Sequence, residues 1–170
     1  MSEMQEDTNT ERPQFSADAL KQVDEIFSRY PKERRASALM PVLHLAQSEF
    51  GGWLSRQTLD YVAEVVGVAP IRCYEVATFY TMYNLKPVGK YHVQVCTNIS
   101  CWLCDSETIV SSLEEKLQAK VGSTTSDNRF TLSAVECLGA CINAPMMQVN
   151  DDYFENLTAD RVAEIIDRLP

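Results

Sequence analysis

The stretch YHVQVCTNISCWLC, residues 91–104, alternates between apolar and polar and then abruptly stops, and the fold is read from that change. Tyr91, Val93 and Val95 share one face at period two, which predicts a strand over 91–96 that ends on a cysteine. His92 falls on the opposite face and is expected to meet solvent. Asp105 or Ser106 then opens a helix whose Ile109, Leu113 and Leu117 recur every four residues. Residues 122–129, GSTTSDNR, read as a loop, and 130–136 as a second strand that delivers the chain to Cys137. Residues 146–150 and 153–155 flank Asp151 and Asp152 as a hairpin. Thr158 caps a last helix, with Leu157 and Val162 placed as a hydrophobic staple and Val162, Ile165, Ile166 and Leu169 as its apolar stripe. The order is strand, helix, strand, strand, strand, helix.

Upstream the period lengthens to that of helices. Ser16 caps one that carries Leu20, Val23, Phe27 and Tyr30 and ends at Pro31. A second has Pro41 in its first turn, Leu39, Val42, Leu43 and Ala46 on one stripe, and Gly51 and Gly52 as its stop. Ser55 caps a third, with Leu59, Val62, Ala63 and Val66 preceding Gly67, and a fourth starts at Pro70 and carries Val76, Ala77, Tyr80 and Tyr83. The turn-rich residues 84–90 separate the two halves, and the charge changes there too. Residues 13–90 hold nine basic and eight acidic groups, whereas 91–170 hold five and twelve. The expected organisation is an acidic, disordered tail over 1–14, a small helical bundle over 15–86, and a second domain over 87–170.

The 170-residue chain has a net charge of -9, an excess of acid that opposes binding to a phosphate backbone and excludes a nucleic-acid partner. No apolar run is long enough to insert in a membrane. The first twelve residues, with four acids and one arginine, fit neither a signal nor a transit peptide, so a cytosol-like, reducing compartment is expected. There, clustered cysteines read as metal ligands or redox groups before they read as a disulfide framework.

Four of the six cysteines form two pairs, C-x4-C at Cys96 and Cys101 and C-x3-C at Cys137 and Cys141. Each pair begins where a predicted strand ends, so two loops with unpaired backbone N–H groups can face one another. Gly139 lets the second loop make a close approach or take a positive φ. Zinc sites favour closer pairs, typically C-x2-C, whereas a 2Fe-2S rhomb suits longer intervals such as C-x4-C. The spacing favours iron–sulfur and leaves zinc open. Cys104 adds a C-x2-C with Cys101, the arrangement of a thiol enzyme at a helix start. It reads more simply as a spectator thiol, and Cys73, in the fourth helix, as a packed residue.

The segments VCTNISCWLC and VECLGACINAPMMQVNDDYFENLT, preceded by YEVATFYTMYNLKPVGK, resemble the 2Fe-2S ferredoxin-type subunits of NADH:quinone oxidoreductase, respiratory complex I, over about residues 20–170. The resemblance implies an α+β or α/β chain, a small helical bundle followed by a thioredoxin-like ferredoxin domain with a mixed sheet of about four strands and flanking helices. It also implies one 2Fe-2S cluster on Cys96, Cys101, Cys137 and Cys141, and a partner flavoprotein subunit that binds NADH and FMN and reduces the cluster from its flavin. Related subunits serve NAD-linked hydrogenases and formate dehydrogenases, which stand as the alternative host assemblies. A zinc-stapled interaction module is the alternative from another class.

With four thiolates, two sulfides and two ferric ions, such a cluster carries a charge of -2 that reduction makes -3. Nearby carboxylates therefore oppose reduction and N–H groups aimed at sulfur favour it, so the acidic second half points to a low potential. Asn98, Ser100, Leu138, Gly139 and Ala140 are the expected tuning positions, through their backbone groups. His44 and His92 read as packing or surface histidines, and Phe79, Tyr80, Met82 and Tyr83 as core in preference to a contact surface. No G-x-G-x-x-G, phosphate-binding loop or Ser-His-Asp set is present, so no catalytic residue is expected here. Hydride chemistry is assigned to the partner, and any membrane association, on the inner face of a bacterial membrane, to other subunits of the complex.

Overall fold

In the computed structural model, which describes residues 12–170, Ser16 accepts a hydrogen bond from Ala19 N–H and starts α1 (Ala17–Ser28). Of the tail expected over 1–14, residues 1–11 lie outside the described residues. Arg12 pairs with Glu64, and Phe15 is buried. Helix α1 buries Ala19, Val23 and Ile26, and Leu20, expected in the stripe, stays 45% exposed. The spacing of 19, 23 and 26 is equally helical, so the buried face is rotated by one position from the expected one.

A 3-10 segment, Lys32–Ala38, precedes α2 (Leu39–Glu49), and α3 (Arg56–Val66) and α4 (Pro70–Phe79) follow. Helix α2 buries Leu39, Val42, Leu43 and Ala46, and α3 buries Leu59, Val62, Ala63 and Val66, both as their spacing predicts. Ser55 Oγ accepts from Thr58 N–H at 3.1 Å, and Gly67 closes α3 at φ 81. Helix α4 ends earlier than its period suggests, because Tyr80 takes an extended ψ of 115. Tyr83 is buried through the following turn instead, where its hydroxyl donates to the Met40 carbonyl at 3.0 Å. Asn84 fixes that turn by accepting Leu54 N–H on its carbonyl and donating its side-chain amide to the Gly52 carbonyl. Phe79, Tyr80 and Met82 are exposed, which corrects their reading as core.

The chain divides into two units, the first ending at Pro87 and the second running Val88–Pro170. The second contains a five-stranded sheet, one strand more than expected, in the order β2-β3-β1-β4-β5. Its strands are β1 (Tyr91–Cys96), β2 (Ser123–Thr124), β3 (Phe130–Val135), β4 (Met147–Val149) and β5 (Asp152–Phe154). β1 and β3 are parallel, and the other pairs are antiparallel. Between β1 and β3 run α5 (Ile99–Leu103) and α6 (Ser106–Leu117), and α7 (Ala159–Arg168) ends the chain. Val93, Val95, Leu132, Met147 and Val149 face Ile109 and Leu113 of α6 and Val162 and Ile166 of α7 in one core.

The other sheet face is polar yet not bare. Gly89 N–H reaches Thr131 Oγ1 at 2.7 Å, and a Cβ on Gly89 would stand 2.9 Å from the Phe130 backbone, so this segment lies tight against β3. His92, opposite Thr131 in register, is 9% exposed rather than solvent-facing, with a ring nitrogen 2.9 Å from Ser133 Oγ. Burial lowers its pKa below the ordinary 6.5. The unfolded chain therefore takes up a proton before the folded chain does, and stability rises with pH through the window below about 6.5. His92→Gln is expected to flatten that dependence when urea midpoints are compared between about pH 5 and pH 7. A slope equal to the parent's would assign it to other groups.

Candidate metal centre

Parallel pairing decides where the cysteines emerge. Cys96 ends β1 opposite Val135, the last residue of β3, so both strands release the chain at one end of the sheet. Cys96 N–H donates to the Met146 carbonyl at 3.2 Å and Thr97 N–H to the Val135 carbonyl at 3.0 Å. Both neighbouring strands thus hold the strand end. Alternation turns Cys96 away from the Val95 core and into a small cluster with Cys101 and Met146, against which Leu138, Ala140 and Ala144 pack.

Asn98 Oδ1 accepts Ile99 N–H at 2.9 Å and starts α5, whose single turn brings Cys101 back beside Cys96. Both thiols are buried. Burial, reinforced by a hydrogen bond with the Cys96 thiol, pushes Cys101 up to about 11, and a hydrogen bond with the Met146 backbone opposes the shift. Cys141 contributes to the same shift through its charge, so the second cysteine loop lies within electrostatic reach of the first.

Cys137 and Cys141 are exposed, with their sulfurs 3.9 Å apart. Two thiolates on one tetrahedral metal, at bonds of about 2.3 Å, stand about 3.8 Å apart, so this pair is already spaced for a single ion. Gly139 N–H donates to Cys137 Sγ at 3.3 Å, and Gly139 sits at φ 82 with open space where a Cβ would be. Of the two reasons for glycine there, the backbone conformation holds and the close approach does not. The loop continues into a 3-10 turn, Cys141–Asn143, where Asn143 accepts Asn156 N–H on its carbonyl and donates its amide to Glu155 at 2.8 Å.

Among the described residues no three Cys, His, Asp or Glu side chains gather about one point. The four thiols stand as a buried pair and an exposed pair, a donor set that fits a 2Fe-2S group with two protein sulfurs on each iron. Cys104 is exposed at the end of α5, and Cys73 lies buried in α4, where burial and then Asp60 push its thiol up to about 11. Such a thiol stays protonated and inert. His44 is exposed beside the Tyr83 ring at 5.0 Å. Sequence reasoning does not single out Met146, Asn143 or Glu155, because they act through the backbone and across the hairpin, where no spacing rule marks them.

The sheet is thioredoxin-like, and its two cysteine pairs lie beyond one end of it. Residues 23–170 match the model of the thioredoxin-like [2Fe-2S] ferredoxin family, and the chain belongs to that family. It is 52% identical over 163 residues to the E subunit of the NADH-quinone oxidoreductase of Rickettsia conorii (strain ATCC VR-613 / Malish 7), across 95% of this chain and 98% of that one. It is 47% identical over 165 residues to the mitochondrial NADH dehydrogenase [ubiquinone] flavoprotein 2 of Dictyostelium discoideum, covering 96% of this chain and 67% of that one. A crystal structure of NAD+-reducing [NiFe]-hydrogenase in the air-oxidized state superposes with a TM-score of 0.68 at 21% identity, covering 82% of this chain and 24% of that chain. That likeness is one of fold, and this chain spans about a quarter of the hydrogenase chain.

Cys137→Ser is expected to remove most of the bound iron and Cys104→Ser to leave it unchanged, as measured by iron analysis per folded chain. Gly139→Ala is expected to cost about 1–2 kcal/mol, the penalty of a Cβ in the left-handed region, although nothing crowds the site. A urea titration measures this directly.

Proposed function

We propose that this chain is the electron-transfer subunit of an NADH:quinone oxidoreductase and that Cys96, Cys101, Cys137 and Cys141 hold its 2Fe-2S cluster. The observation that carries the reading is the emergence of both cysteine loops at one end of a parallel strand pair. When bound, the cluster supplies a one-electron couple whose potential depends on charge, burial and hydrogen bonds to its sulfurs. The chain's own residues set those terms. Cys96 and Cys101 offer sulfur from a buried pocket, Cys137 and Cys141 offer it at the surface, and Gly139 N–H is already directed at one sulfur.

The proposed partner is the flavoprotein subunit that binds NADH and FMN. Ile99, Trp102, Leu103 and Ile142, all in the two cysteine loops, are exposed, and Ile142 is 94% so. Apolar side chains left bare around the outer thiols suit a surface that a second subunit covers and keeps dry. The relatives in NADH-quinone oxidoreductases support the same assembly. Among the described residues no helix is long and apolar enough to cross a membrane, so attachment to the inner face of a bacterial membrane, from the cytoplasm, is proposed to run through other subunits.

In the assembled complex, kept anaerobic, NADH is expected to produce the EPR signal of a reduced 2Fe-2S cluster that Cys137→Ser eliminates. Persistence of every such signal in that variant would place the cluster elsewhere. Leu103→Asp is expected to leave the iron content intact and to reduce co-purification of the flavoprotein at least severalfold, since it puts a charge into the apolar rim. Undiminished co-purification would exclude α5 from the contact.

A further inference from the structure

The peptide between Leu138 and Gly139 is hydrogen bonded at both ends. Its N–H, on Gly139, donates to Cys137 Sγ at 3.3 Å. Its carbonyl, on Leu138, accepts the Tyr153 hydroxyl at 2.7 Å. Tyr153 lies on β5, opposite Gln148 in the β4 register, so the donor comes from a sheet strand and not from a loop. Asn143 is tied to Glu155 and Asn156, which fixes the cysteine loop to the exit of the same strand.

We propose that Tyr153 is a positioning residue for the redox centre, one that raises the reduction potential by polarising the Leu138–Gly139 peptide and holding its N–H on the Cys137 sulfur. The inference rests on the ligand set proposed above and adds to it a residue that touches no iron and no sulfur. A peptide group whose oxygen accepts a hydrogen bond is a stronger donor at its nitrogen, since hydrogen bonds in a chain polarise one another. The reduced state carries one more negative charge, so a stronger N–H donor at sulfur favours it. The positive φ of Gly139 orients that N–H, and the phenol stops the peptide from rotating away. No bond forms or breaks at Tyr153, and the couple remains one electron per cluster.

Tyr153 is 49% exposed, so in Tyr153→Phe water can reach the Leu138 carbonyl, but without the fixed direction of the phenol. The expected change is therefore partial. It amounts to about threefold in the one-electron equilibrium constant, or about 28 mV toward lower potential at 59 mV per tenfold. The test is a dithionite titration of the cluster-loaded full-length chain, monitored by EPR. A second variant, Tyr153→3-fluorotyrosine, carries a more acidic phenol and is expected to raise the potential at a pH where it stays protonated. Opposite shifts in the two variants, at unchanged iron content, support the proposal. Equal potentials in parent and both variants overturn it, as does loss of iron from folded Tyr153→Phe, which would make the hydroxyl a structural tie only. A parent chain that binds no cluster would defeat the ligand assignment itself, and the two failures are thereby distinguished.

Discussion

The parallel pairing of β1 with β3 is the constraint on which the rest of this molecule depends. Two antiparallel neighbours would release their cysteines at opposite ends of the sheet, about a strand length apart. In parallel register, Cys96 against Val135, both strands end together and both loops begin at one edge. That pairing needs a crossover, and α5 and α6 supply it while α6 also packs Ile109 and Leu113 onto the sheet. The core that stabilises the domain and the geometry that gathers the thiols are thus consequences of one connection.

The two cysteine pairs differ in a way that bears on their chemistry. Cys96 and Cys101 are enclosed with Met146, while Cys137 and Cys141 stand at the surface among exposed apolar side chains. Added negative charge is poorly solvated in the enclosed half, so hydrogen bonds from fixed backbone groups have most effect where water is scarce. At the outer half a covering subunit would remove water as well. The acidic balance of residues 91–170 acts through this geometry, since exposed carboxylates are screened beyond roughly 8 to 10 Å in physiological salt.

Much of this was legible in residue order because strong local signals agreed with tertiary packing. Ser55, the four-residue rhythm of α3 and Gly67 all point to the same helix, and the alternation from Tyr91 to Cys96 coincides with β1. The failures have physical reasons of their own. Helix α5 is five residues long, too short to show a period, and β2 has two. Tyr80 and Tyr83 keep a helical spacing after the helix has ended, since no glycine or proline marks the stop. His92 alternates correctly but is buried, its ring beside Ser133 and its backbone opposite Thr131, and the strand pattern alone cannot tell a covered sheet face from a bare one. At the site, cysteine spacing pointed to the pairs, whereas the supports from Met146, Asn143 and Tyr153 arise only when the hairpin folds beside the loops.

Thiols that act as two pairs on a dinuclear group, and not as four on one ion, are distinguished by iron, zinc and acid-labile sulfide analysis of the purified chain, combined with EPR spin quantitation before and after reduction. The expected result is a coloured protein with about two iron and two sulfide per chain, silent when oxidised and giving about one spin per chain when reduced. A colourless protein with one zinc and no sulfide would contradict it.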